Sequence, residues 1–329
     1  MKRKLVSVQK IKKITPIEGA DKIEVAQVKG WEVVVQKGLH EEGDNVIYFE
    51  IDSFLPVKPE YEFLLRGSSP KKMFLDGEEV EGIRLKTIKL RGQISQGLVM
   101  PLEDKGRKIG EELTKELGVL KYEQPISPSL AGKVKGSFPE FIPKTDEERI
   151  QNMEYLLGGF YVTEKLDGTS TTFYKKDNQL GVCSKNLELM DSGQTQWKIA
   201  KELELEKNIP DGISIQGELV GEGIQKNPLK LSGIQFFCFN VFSIDSGVYL
   251  DFEDFVKFCY IRKIEIVPVV ITDYSLPNSM EEILEHAEGK SILGKDCERE
   301  GIVVRPKIEL KHNKDRLSFK VISNKYLLK

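Results

Sequence analysis

The sequence predicts an α+β protein in two parts: a small β-barrel over residues 1–105 and a larger antiparallel-sheet domain with a few helices over 144–329. Three observations predict it. The chain has 329 residues, room for about two domains at ~150 residues each. Hydrophobic residues make up 40% and charged residues 31%, a balance that supports packed cores rather than disorder. Short runs rich in β-branched residues alternate apolar and polar positions and are broken by glycine.

In the first part, "KLVSVQKI", "IEVAQV", "WEVVVQ" and "NVIYFEI" read as strands, with Gly30, Gly38 and Gly43 between or beside them. "IRLKTIKLRGQISQGLVMP" (83–101) reads as another alternating pair, split around Gly92. Five or so short strands in about a hundred residues suit a small barrel, for which an OB-fold is a common answer and other small barrels are alternatives. Residues 106–143, with "YEQPISPSLAGKVKGSFPEFIPK", are rich in proline and glycine and read as a linker.

The second part opens on "KTDEERIQNMEYLL", which predicts a helix over 144–157 with Thr145 as N-cap and Glu148 closing a capping box. Strands are predicted at 159–166, 169–175, 180–184, 213–220, 234–243, 301–305 and 316–322. Helices are predicted at 193–206, 251–262 and 279–287, the last with a Ser279–Glu282 capping box.

Composition excludes several functions. Net charge is −3, which argues against a globally basic nucleic-acid coat but leaves room for a local basic groove. The 4 cysteines are scattered with no C-x-x-C pair, and the 3 histidines lie far apart. Neither pattern suggests a structural zinc, and the cysteine usage suits a reducing, cytoplasmic setting. No run approaches the ~18 apolar residues of a membrane span, and the basic N-terminus lacks the apolar block of a signal peptide.

The chemistry concentrates in "YVTEKLDGTSTTFY" (161–174). Lys165 and Asp167 are two apart on a strand, so they face the same side, toward a cleft. Gly168 lets the chain turn and lets backbone come close to a ligand. A lysine amine is a poor nucleophile at its free pKa of ~10.4, and desolvation plus a nearby cation held by Asp167 would free it. Further on come "IQGELVGEG" (Glu218), "QFFCFNVF", "EREGIVVRP" (Glu300) and "RLSFKVISNK" (Lys320, Lys325). Each strand-like run carries a charged or aromatic group that a fully buried strand would not choose.

These motifs, in this order over 161–325, resemble the covalent nucleotidyltransferases, the polynucleotide ligases and mRNA capping enzymes. Placing the barrel before the catalytic domain resembles the ATP-dependent RNA ligases that carry an N-terminal OB domain. That resemblance implies an OB-fold RNA-binding domain at 1–105 and an antiparallel-sheet nucleotidyltransferase domain of ATP-grasp-like ligase type at 144–329. It implies that Lys165 takes AMP from ATP, passes it to an RNA 5′-phosphate, and that a 3′-OH then displaces it.

The same resemblance gives roles residue by residue. Lys165 is the nucleophile, and Lys320 contacts the α-phosphate. Asp167, Glu218 and Glu300 hold hydrated Mg²⁺ or Mn²⁺, with Glu218 also near the ribose. Arg149 reaches the β and γ phosphates. Lys185 stands where the family commonly has arginine, and contacts the ribose or the RNA phosphate without arginine's bidentate fork. Lys325 lies five residues past Lys320, a wider spacing than related ligases use. Phe236 stacks on adenine, with Phe239 as the alternative. The implied partners are ATP and RNA with 3′-OH and 5′-phosphate ends in a nicked duplex, and the protein acts as a monomer. Competing readings are a DNA ligase, a capping guanylyltransferase, and a non-catalytic RNA-binding protein on a ligase scaffold.

Overall fold

A computed structural model describes residues 4–328 except 66, 76–77, 123–132, 146–147, 150–158, 278, 295 and 313–314. The chain divides into two units, Lys2–Ser127 and Pro128–Leu327.

The first unit contains β1 (Val6–Pro16), β2 (Ile23–Val28), β3 (Trp31–Gln36), β4 (Asn45–Phe49), β5 (Ser53–Leu55) and β6 (Lys71–Leu75). It continues with β7 (Glu78–Arg84), β8 (Ile88–Leu90), β9 (Gln93–Ser95), β10 (Leu98–Pro101) and β11 (Leu120–Lys121). A five-stranded sheet runs in the order β10-β4-β1-β2-β3, and every pairing in it is antiparallel. β1 serves two neighbours, pairing with β4 along Val6–Lys10 and with β2 from Ile11 onward, with a register shift between Ile11 and Lys13. Such a shift bends the strand and curls the sheet. The Gln96 amide donates to the Glu32 carbonyl at 2.7 Å and the Val34 amide to Ser95 Oγ at 3.0 Å. These bonds bring the chain after β9 back against β3. Alternation does the rest: Trp31, Val33 and Val35 turn into the core while Glu32 and Val34 are half-buried. The predicted split at Gly92 is a tight β8–β9 hairpin with Arg91 at φ 50° and Gly92 at φ 85°, the left-handed pair that matches strand twist.

The expected linker over 106–143 needs correction, because its described residues pack on one unit or the other. Gly110 and Leu113 amides donate to the Val8 and Val6 carbonyls at 2.7 and 2.9 Å, and β11 pairs with β5. Val134–Ser137 instead forms a strand of the second unit, where Phe138 and Ile142 pack against Tyr174 and Cys183. Two apolar side chains, Phe138 and Ile142, are buried there while the described residues around them stay exposed or half-buried.

The second unit contains β12 (Val134–Ser137), β13 (Glu148–Arg149), β14 (Phe160–Lys165), β15 (Thr169–Lys176), β16 (Gln179–Ser184), β17 (Leu187–Leu189) and β18 (Ile213–Gly221). After these come β19 (Ile234–Ser243), β20 (Val248–Tyr249), β21 (Val269–Tyr274), β22 (Gly301–Pro306), β23 (Lys311–His312), β24 (Asp315–Arg316) and β25 (Phe319–Ile322). The helices are α1 (Thr195–Glu202), α2 (Leu205–Asn208), α3 (Phe252–Ile261), α4 (Met280–Ala287) and α5 (Asn324–Leu327). A seven-stranded sheet runs β12-β17-β16-β15-β18-β19-β20, and a five-stranded sheet runs β13-β25-β22-β14-β21. Segment 264–268 joins them. The Val267 amide donates to the Cys238 carbonyl at 2.9 Å, and the Glu164 amide donates to the Pro268 carbonyl at 2.8 Å. Phe160 and Phe319, fully buried and 6.2 Å apart, anchor the five-stranded sheet, each worth roughly 1.5–3 kcal/mol of apolar burial.

Three expectations change. The helix predicted over 144–157 lies largely outside the described residues. Where it is described, Glu148–Arg149 is a strand parallel to β25, and Thr145 Oγ1 meets Ser170 Oγ at 2.8 Å instead of capping. The helix predicted over 193–206 is two short helices, because Glu204 turns left-handed at φ 49°. The strand predicted over 316–322 is shorter, since Arg316 belongs to β24 and pairs with Lys311. The Ser279 cap is present: its hydroxyl accepts from the Glu282 amide at 3.2 Å.

Candidate active site

β14 belongs to the five-stranded sheet and β15 to the seven-stranded one. The chain crosses between them in three residues, Leu166–Asp167–Gly168. Lys165, last residue of β14, therefore stands where the two sheets meet. Its register partner is Gly301, the residue after Glu300. Glu218 lies opposite Ser170 near the start of β15. Three separated stretches of sequence thus converge on one junction.

The contacts are short. Lys165 Nζ donates to Glu300 Oε2 at 2.5 Å, with the two side chains only 24% and 17% exposed. Burial disfavours the Lys165 ammonium, but the Glu300, Glu218 and Asp167 carboxylates outweigh it and hold its pKa above the ordinary lysine value. Burial pushes Glu218 up to about 8, opposed by the Lys165 charge and the Gly168 amide and reinforced by the Glu300 and Asp167 charges. Glu300 is also raised, by burial first, although Lys165 and Lys320 pull it down. Two ammonium groups, Lys165 and Lys320, thus meet three carboxylates, Glu300, Glu218 and Asp167.

Gly168 has a steric reason to be glycine that differs from the expected one. A Cβ there would lie 2.1 Å from the Leu219 carbonyl oxygen and 2.9 Å from Glu218 Cγ. Its bare backbone lets β15 close onto β18 and sets Glu218 beside Lys165.

Lys320 is half-buried on β25 opposite Val303, and its charge acts on Glu300. The β13–β25 register places Arg149 beside Lys320, so the backbone brings these two predicted phosphate contacts together. Lys185 is exposed in the turn between β16 and β17. Lys325 is not brought to the junction. It lies on α5, where its Nζ is 3.4 Å from Glu288 Oε2.

Phe236 is a correction. It pairs with Leu219 while Phe237 pairs with Glu218, so it turns to the opposite face from Glu218. There it is buried against Phe173, with ring centroids 5.1 Å apart. A ring enclosed in the core cannot offer a face to a base. Phe237 and Phe239, two apart, take the Glu218 side and pack with Leu166, Val220 and Val267. Phe239 is the less buried of the two, so the alternative aromatic is the better placed.

Sequence reasoning missed two residues. Arg305, in "EGIVVRP", is buried at 2% exposure. It donates to Thr163 Oγ1 at 3.5 Å, with its guanidinium 5.7 Å from the Phe239 ring centre. A lone charge in an otherwise apolar strand was the available signal. Tyr326 donates its hydroxyl to Asp167 Oδ2, and nothing in the "NKYLLK" pattern marks it.

Comparison with known proteins agrees with this geometry. A family model described as RNA ligase matches residues 158–322, and one described as an OB-fold domain matches residues 5–102. A structure of Naegleria gruberi RNA ligase with PPi is 37% identical, covering 99% of this chain and 98% of that one with a TM-score of 0.81. A glutamate-to-alanine variant of that ligase, solved with AMP and Mn, is 36% identical over 99% and 98% of the two chains at the same TM-score, 0.81. A lysine-to-alanine variant solved with ATP and Mn is 36% identical over 98% of each, again at 0.81. No curated protein sequence matches. The chain belongs to the RNA ligase family, and an OB-fold domain precedes its ligase domain in sequence.

Proposed function

We propose that the chain is an ATP-dependent RNA ligase of the RNA ligase (ATP) class that joins a 3′-OH to a 5′-phosphate, acting as a monomer on nicked duplex RNA. The observation that carries this reading is the Lys165 junction, where one amine is hydrogen-bonded to Glu300 and faced by Glu218 and Asp167. Similarity to a ligase solved with ATP and Mn supports the choice of nucleotide and cation. In the first step the Lys165 Nζ lone pair forms a bond to the ATP α-phosphorus. The bond from that phosphorus to the bridging oxygen breaks, and pyrophosphate leaves with the electron pair. The AMP then moves to the oxygen of an RNA 5′-phosphate, returning the amine. A 3′-OH attacks the 5′ phosphorus and AMP departs.

The donor set fits a divalent cation. Among the described residues no three His, Cys, Asp or Glu side chains converge as direct ligands. Asp167, Glu218 and Glu300, whose charges meet at Lys165, would hold a hydrated ion together with phosphate oxygens of ATP, the manner usual for Mg²⁺. When bound, such an ion offsets the carboxylates that hold Lys165 protonated and stabilises charge on the phosphate oxygens. The chain's own groups supply the rest. Glu300 Oε2 holds the Lys165 proton and aims the amine. Lys320, and Arg149 beside it in register, bring positive charge for the phosphates. Phe239 offers the ring for the base, with Arg305 near it.

Mass spectrometry after incubation with Mg²⁺ and either ATP or GTP tests the reading. One added AMP on the Lys165 peptide, from ATP alone, is expected. No adduct, or a GMP adduct, sinks it. Sealing of nicked RNA against nicked DNA then tests the substrate.

A further inference from the structure

Resting on that reading, we propose that Tyr326 is a positioning residue for the adenylylation step, acting through Asp167, and that the C-terminal turn Ser323–Leu327 completes the active site. The turn is fixed to both sides of the junction. The Ser323 amide donates to the Glu300 carbonyl at 2.9 Å, and Ser323 is fully buried. Its hydroxyl accepts from the Tyr326 amide at 3.1 Å, and its carbonyl accepts from the Leu327 amide at 3.2 Å. On the outer side, Glu288 Oε1 accepts from the Lys325 amide at 3.2 Å. From this anchored turn the Tyr326 phenol reaches Asp167 Oδ2.

The arrangement has a chemical consequence. Asp167 sits in the three-residue crossover between the sheets, outside any strand, where the backbone alone holds its side chain weakly. A phenol donating to one carboxylate oxygen fixes the rotamer and leaves the other oxygen for Lys165 or a hydrated cation. Outer partners of this kind typically change metal affinity or activity by about 10–100-fold when removed. One turn of helix thus ties Glu300, through its main chain, to Asp167, through its side chain.

Tyr326→Phe removes one oxygen and keeps the ring. Three readouts on the full chain separate positioning from bulk structure: the melting temperature, the single-turnover rate of lysyl-AMP formation at saturating ATP, and Mn²⁺ affinity. The last is read from the free-ion EPR signal with ATP present in a Lys165→Ala background, where no chemistry occurs. The expected result is an unchanged melting temperature, a rate lower by about 10-fold or more, and Mn²⁺ affinity weaker by a similar factor. A variant matching the parent in rate and affinity overturns the inference. If the variant melts early, the same affinity is measured with and without Asp167→Ala, which removes the acceptor. A hydroxyl that acts through Asp167 has no effect once the carboxylate is gone, and an undiminished effect there overturns the inference too. The parent chain run in the same assay keeps the two ideas apart. Failure of the parent to form lysyl-AMP counts against the ligase reading, whereas failure of Tyr326→Phe to differ from an active parent counts against Tyr326 alone.

Discussion

The two units are both largely antiparallel sheet, yet they place charge in opposite ways. In the first unit Lys86, Lys89 and Arg91 are exposed along and beside the β8–β9 hairpin. In the second, Lys165 and Glu300 are mostly enclosed at strand ends and Glu218 is held beside them. An exposed cation keeps its hydration and acts on a ligand at modest strength through a screened field. An enclosed one is held by a few neighbours whose protonation it controls and which control its own. The difference separates a surface suited to a polyanion from a site suited to bond making, and it can be broken experimentally at either end.

The sharpest break is Lys165→Ala. Lysyl-AMP formation should fall below detection by mass spectrometry, while sealing of a pre-adenylylated RNA strand persists to a measurable degree, since the later steps do not use the amine as nucleophile. Label transfer to the alanine variant would remove Lys165 from the role. Next come the carboxylates. Glu218→Ala, Glu300→Ala and Asp167→Ala should each lower the adenylylation rate by about 10²–10³-fold, the size seen when one preorganised electrostatic contact is lost, with far-UV circular dichroism unchanged. EDTA should stop the parent enzyme, and a full rate in EDTA would dispose of the cation.

The first unit gives a milder test. A chain starting at Pro128 keeps β12, Phe138 and Ile142, which pack within the second unit. A cut near residue 140 would strip away β12 and Phe138. The Pro128 chain should still form lysyl-AMP but bind nicked RNA weakly. In the full chain, Lys86→Glu, Lys89→Glu and Arg91→Glu combined should reduce RNA affinity and flatten its salt dependence, because each neutralised phosphate contributes to that slope. A Pro128 chain that seals nicks as well as the parent would leave the barrel without an RNA role.

How much of this could be read from sequence follows the same division. Lys165, Asp167, Glu218 and Glu300 were legible because a charge in a strand-like run stands out locally, and their order carried the rest. Tyr326 was not, since its meaning lies in one long-range hydrogen bond to Asp167 and a tyrosine near an apolar terminus is ordinary. Phe236 was chosen over its neighbours because periodicity shows that faces alternate but not which face is which. A register shift at Gln216/Gly217 sits beside it and is invisible in sequence. The 144–157 helix rested on a capping pattern, a local signal that gives way where Glu148–Arg149 pairs with a strand near the other end of the chain. Local charge was readable, while register and distant pairing had to be seen.

The smallest expected effect concerns Glu164, the neighbour of Lys165 that points away from the site. It is buried at 1% exposure. Oε2 accepts from the Ile292 amide at 2.8 Å, and Oε1 is buried without a hydrogen-bond partner. Burial raises its pKa, against the Ser291 and Ile292 hydrogen bonds and the Arg299 charge. The folded protein therefore binds this proton more tightly than the unfolded chain, where a glutamate titrates near ~4.3. The stability it contributes is complete below that value and is lost as pH rises through the raised folded pKa. Glu164→Gln stays neutral at every pH, and its oxygen can still accept from Ile292. In urea unfolding, the variant should be close to the parent at pH 5 and more stable by about 1 kcal/mol at pH 8, the order of cost of an unpartnered buried polar group. Because the side chain faces away from the junction, lysyl-AMP formation should change by less than about 3-fold, in keeping with stability effects that leave chemistry alone. A variant less stable than the parent at pH 8 would show that the ionised carboxylate is held favourably, and that enclosure beside Lys165 does not by itself decide which charges the fold resists.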